Sequence, residues 1–448
     1  MKIKILLISV LIIIVGLTAC NKTNEPEHPN IILIISDDQS WTDYSFLGHE
    51  HIETPRIDQL AGEGLTFTRG YTVAPLCRPA LASMATGLYP HQHKVVGNDP
   101  VFNAGDEPKY REEWLKLRKG ANETIVAAFE QLPTLADILG EAGYVSLQTG
   151  KWWEGNPSRS GFTKGMTHGD PARGGRHGDD GLKIGREGMN EIYDFVEDAR
   201  GQDKPFFVWY APFLPHAPHT PPDSLRDKYL PLAGSEAVAN YWAMCDLFDI
   251  TCGQLMDYIE AEGLSENTLF VYVTDNGWIQ DPDRPNRFDM GSKTTPYEMG
   301  IRTPVMFRWK GVITPEMNEV DLVSSIDIAT TILDICGIAP GPEMQGINVL
   351  DNNKLSGRDA IFAEAYAHDF TTVDESLNFR IIVKLPWKLI LPDAVNRPYN
   401  PQFYPAEPNG QPKLYNLLED PYERVDLAAE NPEVVADLTR EIEEWWNQ

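Results

Sequence analysis

Apolar runs that stop abruptly at Asp, Asn, Gly or Pro set the rhythm of this chain. Ile31 to Ser36 is almost continuously apolar and ends in Asp37-Asp38, the pattern of a strand buried on both faces of an α/β sheet. Pro133 to Gly143 opens with Pro and closes with Gly, which brackets a helix. A strand over Tyr144 to Gln148 then runs into Thr149-Gly-Lys-Trp-Trp153. The alternation recurs as helix Gly188 to Ala199 and strand Pro205 to Tyr210, which leads into Phe213-Leu-Pro-His-Ala-Pro218. A long amphipathic helix, Ala237 to Glu262, precedes strand Thr268 to Thr274 and the turn Asp275-Asn-Gly277. Pro304 to Trp309 reads as a strand and Ile326 to Cys336 as a helix. Such alternation predicts one large α/β domain. From Ile361 the runs shorten to Ile361–Ala365, Arg380–Leu385 and Trp387–Leu391. The Lys413-Leu-Tyr-Asn416 segment and an amphipathic helix, Glu433 to Trp446, follow them. The expected division is therefore a large α/β domain over 30–360 and a small α+β subdomain over 361–448. Gly155 to Gly188 is rich in Gly, Arg and His without periodicity, as functional or disordered loops are.

The first residues stand apart from this pattern. Lys2 and Lys4 precede an apolar stretch from Ile5 to Leu17, too short for a membrane span and typical of an export signal. Leu17-Thr-Ala-Cys20 resembles the bacterial lipobox, which makes residues 1–20 a lipoprotein signal, Cys20 the lipidated residue and 21–29 a tether. An exported protein in the periplasm or at the cell surface, touching membrane only through its lipid, is the expectation. Cys245 and Cys252 lie seven residues apart on one helix, about 10 Å along its axis, too far to bridge. With Cys336 they read as buried thiols. A net charge of −28 argues against nucleic acid or an anionic membrane surface as partner.

Polar candidates gather just past the predicted strand ends, where open α/β sheets bind ligands. Asp37, Asp38, Asp275 and Asn276 are hard oxygen donors suited to Ca²⁺ or Mg²⁺, and no Cys/His spacing suggests structural zinc. Asp-Asn-Gly after a strand is, by itself, ordinary turn chemistry. Between these pairs lie Pro75-Leu-Cys-Arg-Pro-Ala-Leu-Ala-Ser-Met-Ala-Thr-Gly87, then Lys151 and His216, and beyond them comes Lys293.

In that order, from Asn30 to the Lys413 segment, the chain resembles the type I, formylglycine-dependent sulfatases of the alkaline phosphatase superfamily. The resemblance implies an alkaline-phosphatase-like α/β domain with a central mixed, mostly parallel sheet flanked by helices. It implies that a formylglycine-generating or sulfatase-maturating enzyme converts Cys77 to formylglycine. The cation, Ca²⁺ or in its place Mg²⁺, would be held by Asp37, Asp38, Asp275, Asn276 and the modified Cys77. Lys151 and Lys293 would bind sulfate oxygens, and His216 would assist the leaving alcohol. The residue types suit the chemistry: an anionic ester needs a cation and two ammonium groups to receive an oxygen nucleophile, and a histidine to handle a proton. The implied activity is hydrolysis of sulfate esters, on a sulfated polysaccharide or oligosaccharide. The alternatives are a phosphonate or phosphate ester hydrolase of the same superfamily and a non-catalytic sugar-binding lipoprotein.

Two positions depart from the family pattern. Leu81 stands where Cys-x-Pro-x-Arg requires arginine, and Trp153 replaces the histidine that follows Lys-Trp. A helix starting near Pro79 would place Arg78 at its lip, where it could supply the missing charge. His177, in Gly174-Gly-Arg-His-Gly178, is the candidate for the missing histidine, and Trp153 offers a face on which a sugar could stack. Arg173, Arg176, Lys183 and Arg186 would line a site for an anionic sugar.

Overall fold

The computed structural model describes residues 28–100, 111–170, 173, 176–370, 372–393 and 410–447; Cys20, the expected signal and most of the expected tether lie outside them. β1 (Asn30–Ser36), buried at every residue, runs through the centre of a nine-stranded sheet. β2 (Leu65–Tyr71), β3 (Val145–Gly150), β4 (Phe206–Ala211), β5 (Thr268–Thr274) and β6 (Arg302–Trp309) supply its other long strands. Their order across the sheet is β2-β6-β5-β1-β4-β3, with two-residue strands beyond each end. β1 is parallel to β4 and β5, and β3 is parallel to β4, whereas β6 runs antiparallel to both β5 and β2. The sheet is therefore mixed and mostly parallel about its centre, as expected. Leu33, Ile35 and Trp209 enter one apolar layer, while Ile32, Ile34 and Tyr210 enter the other. Burial on both faces explains why these strands read as unbroken apolar runs.

Strands and helices that hold no such run escaped the sequence pattern. β2 reads Leu-Thr-Phe-Thr-Arg-Gly-Tyr, polar at every second position until Arg69, and sits toward one edge of the sheet. The helix Pro55–Glu63 has no capping side chain of its own; Asp249, from a distant helix, accepts from Arg56 N and Ile57 N at 3.0 and 2.7 Å. The helix Cys77–Thr86 starts two residues before Pro79, which puts Pro79 in its first turn as expected, and every residue in it is buried. Helix Glu236–Ala261 is capped by Ser235, which accepts from Val238 N. Cys245 and Cys252 on that helix are buried free thiols, as are Cys77 and Cys336.

The second sheet starts at Ile361 and is antiparallel throughout: β7 (Ile361–Tyr366), β8 (Leu377–Lys384), β9 (Trp387–Pro392) and β10 (Lys413–Asn416), in that spatial order. One face packs Ile361, Ile381 and Ile390 against Tyr71 and Ile301 of the large domain. The other face packs Ile382 and Leu389 under Leu438 and Ile442 of the helix Pro432–Trp446. Among the described residues no helix is long and apolar enough to cross a membrane.

Candidate active site

Parallel pairing of β1 with β5, Ser36 opposite Thr274, sets Asp37-Asp38 beside Asp275-Asn276 at the carboxyl edge of the sheet. Asp38 N donates to Asp275 Oδ1 at 3.0 Å, and Asn276 Nδ2 donates to Asp38 Oδ1 at 2.7 Å. Asp38 lies in the left-handed region at φ 64°, a conformation held against its cost by these neighbours. Gly277 passes so close to Met299 that a Cβ would lie 1.9 Å from its carbonyl oxygen, which accounts for glycine after Asp275-Asn276.

Each of these four residues keeps one buried oxygen without a hydrogen-bond partner: Asp37 Oδ2, Asp38 Oδ2, Asp275 Oδ2 and Asn276 Oδ1. Leaving such groups unsatisfied costs about 1–3 kcal/mol apiece. Burial, reinforced by the neighbouring carboxylates, holds Asp37 well above the usual carboxylate range against the pull of Lys151. Asp275 is raised for the same leading reason. Three carboxylates and an amide, oxygen donors only, fit a hard divalent cation such as Ca²⁺ or Mg²⁺. Donor atoms of Asp37, Asp38, Cys77 and His216 all lie within 4.8 Å of one another.

Cys77 is the first residue of its helix, where unpaired N–H groups favour negative charge. Its Sγ lies 4.0 Å from Asp37 Oδ1 and Asp38 Oδ1, and 3.1 Å from Lys293 Nζ. Lys293 also pairs with Asp38, and Lys151 Nζ donates to Asp37 Oδ1 at 2.8 Å. Gly150 aims Lys151: it has φ 75°, and a Cβ there would sit 1.8 Å from Ala211 O, the carbonyl that accepts from Lys151 N at 2.7 Å. Only glycine allows β3 to end this close to β4. Burial would lower both lysines, but Asp37 for Lys151 and Asp38 for Lys293 hold them above their ordinary value, so both stay charged. Burial pushes the Cys77 thiol up to about 12 although both lysines oppose it. The unmodified side chain is a neutral thiol at neutral pH and a poor nucleophile.

His216 Nδ1 lies 2.6 Å from the carbonyl of Ala217, which assigns the proton to Nδ1 and leaves a lone pair on Nε2. That nitrogen is 3.3 Å from Asp38 Oδ2, outside hydrogen-bonding geometry. Burial, then Lys151 and Lys293, hold the imidazole well below its usual value. Phe213 stacks on it with ring centres 4.1 Å apart. Arg186 donates to the carbonyls of Phe213 and His216, at 2.6 and 2.8 Å, and so fixes this turn.

Arg78 corrects an expectation. Its guanidinium is buried and held bidentately by Glu154, Nε to Oε1 at 2.7 Å and Nη2 to Oε2 at 2.8 Å. It offers no unpaired charge to Cys77. Leu81, 3% exposed, belongs to the same apolar cluster as Trp152, Val95 and Ala85. Trp153 is buried between functional neighbours: the Arg176 guanidinium lies 4.8 Å from its ring centre and His177 5.2 Å. His177 also meets Phe213 edge-on at 5.3 Å, and burial followed by Lys151 lowers it to about 3. His177 therefore joins the site as a neutral ring. Of the loop cations, Arg186 is spent on backbone carbonyls, Lys183 pairs with Asp180, Arg173 is exposed between undescribed residues, and Arg176 lies over Trp153 with its charge paired to Asp99. Glu154, Asn98 and Phe213 escaped the sequence reading; an acid three residues after Lys151 was the one available signal among them.

Comparison with known proteins agrees with this geometry. The family model "Sulfatase" matches residues 29–338, and a model for the N-sulphoglucosamine sulphohydrolase C-terminal region matches 288–448. The chain is 26% identical to N-acetylgalactosamine-6-sulfatase of Canis lupus familiaris, over 76% of this chain and 68% of that protein. It is 24% identical to N-acetylgalactosamine-6-O-sulfatase of Bacteroides thetaiotaomicron, over 95% of this chain and 96% of that protein. The crystal structure of PsFucS1 sulfatase from Pseudoalteromonas sp. shares the fold, with a TM-score of 0.69 at 22% identity over 94% of this chain and 90% of that one. The chain belongs to the sulfatase family and is a sulfuric ester hydrolase.

Proposed function

We propose that this enzyme removes sulfate from a sulfated polysaccharide or oligosaccharide, using a formylglycine made from Cys77 and a divalent cation, Ca²⁺ before Mg²⁺. The observation that carries the proposal is that four residues joined at the ends of β1 and β5 each keep a buried oxygen without a partner, with Cys77, Lys151, Lys293 and His216 packed against the Asp37-Asp38 pair. Asp37, Asp38, Asp275 and Asn276 would hold the cation, which when bound offsets the carboxylates and polarises a sulfate oxygen. Formylglycine supplies, as its hydrate, an oxygen nucleophile that a buried protonated thiol cannot. Lys151 and Lys293 bind the remaining sulfate oxygens and oppose the charge that shifts onto them during transfer. His216 holds its Nε2 toward the reacting centre. Its Nε2, once protonated from solvent, would pass that proton to the leaving alcohol. His177, beside Phe213 and near Lys151, would contact the sugar, whereas Trp153, 5% exposed with Arg176 over its ring, backs His177 rather than offering a free stacking face.

A carbohydrate substrate is supported by the relatives, both named for sulfated N-acetylgalactosamine. Export through a lipobox cysteine, Cys20, and modification by a dedicated maturating enzyme complete the reading. Intact mass of the Cys77 peptide, from protein made in its native host, tests the first step. Formylglycine, with sulfate release from a glycan panel that EDTA abolishes and Ca²⁺ restores, is the expected result. An unmodified thiol would instead indicate the sugar-binding lipoprotein, and faster cleavage of aryl phosphonate or phosphate than aryl sulfate the other hydrolase class. Palmitate labelling that persists in Cys20→Ser would remove the lipid anchor from the picture.

A further inference from the structure

Arg78 follows the nucleophile directly, yet its cation is turned to a partner outside the metal and sulfate groups. The side chains of Arg78 and Glu154 are 0% and 3% exposed, and their contact is bidentate. The remaining guanidinium nitrogen donates to Asn98 O at 3.3 Å and Asn122 Oδ1 at 3.0 Å, while Arg78 N donates to Asn98 Oδ1 at 3.0 Å. The pair thus ties the first turn of the Cys77–Thr86 helix to the loop that leaves β3. On that loop Glu154 is three residues from Lys151, whose own backbone is anchored to Ala211.

We propose that Arg78 and Glu154 are a positioning pair that fixes Cys77 relative to Lys151, and that neither residue touches the substrate. Stability alone does not account for the pair. A buried ion pair exchanged for apolar residues of similar volume is often neutral or stabilising, and the best-attested use of such pairs is to fix register. Here the register in question is that of a nucleophile against the ammonium group that receives the sulfate oxygens. Misplacement by about 1 Å can cost about 100-fold in rate. Helix Cys77–Thr86 has no other cation in its sequence, so no second arginine could serve the helix if Arg78 were released. The proposal rests on the sulfatase mechanism above for its kinetic readout, but its structural readout does not.

The test uses the double variant Arg78→Met with Glu154→Leu, which removes both charges together and so avoids the unpaired buried ion of either single variant. The expected result is a melting temperature near wild type, KM for a sulfate ester within about threefold, and kcat lower by about 10–100-fold. Amide exchange should quicken in the first turn of the Cys77–Thr86 helix and in the loop around Glu154 that the pair joins to it, in protein carrying the unmodified thiol. A second double variant, Arg78→Gln with Glu154→Gln, keeps a hydrogen-bonded contact and should recover part of kcat. Wild-type kcat and wild-type exchange in the apolar double variant would overturn the proposal. So would a stable Arg78→Gln enzyme that loses turnover while Glu154→Gln keeps it, because Arg78 would then act on substrate directly. A wild-type enzyme inert toward every sulfate ester would sink the catalytic reading instead, and exchange alone would then decide whether the pair holds the helix.

Discussion

Lys293 lies between the Cys77 thiol and the carboxylates, its ammonium 3.1 Å from Cys77 Sγ and paired with Asp38. Lys293→Met should reduce kcat/KM by about 100–1000-fold, the usual loss when a preorganised charge is removed from a transition state. Added Ca²⁺ should recover its melting temperature but not its rate, since the cation can relieve Asp38 and cannot replace a group on the sulfate. Recovery of rate with Ca²⁺ would show that Lys293 serves the carboxylates alone. Leu81 supports the opposite kind of prediction. It lies in an apolar cluster, so restoring the family's arginine by Leu81→Arg would bury a cation beside Trp152 with no acid set aside for it. The expected loss is about 3–5 kcal/mol of stability, read by denaturant unfolding; an unchanged midpoint would mean that the side chain finds a partner. Residue types were legible in the sequence because their order along the chain resembles the family's; taken singly, the strand-end acids read as turn chemistry. The direction of a side chain was not. Arg78 looked like a spare cation because Glu154, its partner, is distant in sequence and reads alone as an ordinary loop acid.

At the scale of elements, the strands that carry the site were legible because both of their faces are buried. β5 was read to the residue, Thr268 to Thr274, and β1, β3 and β4 to within a residue or two at each end. β2 and the helix Pro55–Glu63 were not, since one is polar at alternate positions and the other takes its cap from Asp249 on another helix. The end of β3 is the most demanding element in the site. Gly150→Ala would require φ 75° of a residue with a Cβ and place that atom 1.8 Å from Ala211 O. The backbone conformation alone costs about 1–3 kcal/mol, and the overlap can be relieved only by separating β3 from β4. Lys151 is the next residue, so the variant should lose both melting temperature and kcat, with the kinetic loss persisting well below its melting point. Full activity at low temperature would show that the strand end yields without moving Lys151.

Across the whole molecule, the two sheets lock together through a charge cluster that no local sequence pattern announces. Lys388 of β9, fully buried, pairs with Glu298 at 3.0 Å and Glu423 at 2.8 Å, and both acids are buried too. Glu298 also accepts from Tyr71 at 3.0 Å and has Arg302 at 3.6 Å, while Glu423 accepts from Glu298 N. The segment Tyr297 to Pro304, which follows Lys293 closely in the chain, is thus where the C-terminal subdomain is seated. Its partners lie 90 and 125 positions along the chain, which is why the subdomain was legible and its attachment was not. Burial is the leading cause that pushes Glu423 up to about 7, with the second acid, Glu298, adding to it and Lys388 opposing. A carboxyl raised in the folded state binds its proton more tightly there than in the unfolded chain. Its contribution to stability is therefore complete below the unfolded value of about 4.3 and fades as pH rises through about 7. Glu423→Gln keeps the shape and removes the ionisation. Between pH 5 and pH 8 the variant should gain on wild type by on the order of 1–3 kcal/mol, seen as converging and then crossing unfolding midpoints. Curves that stay parallel over that range would place the titration elsewhere and leave Glu423 ionised throughout, its charge held by Lys388.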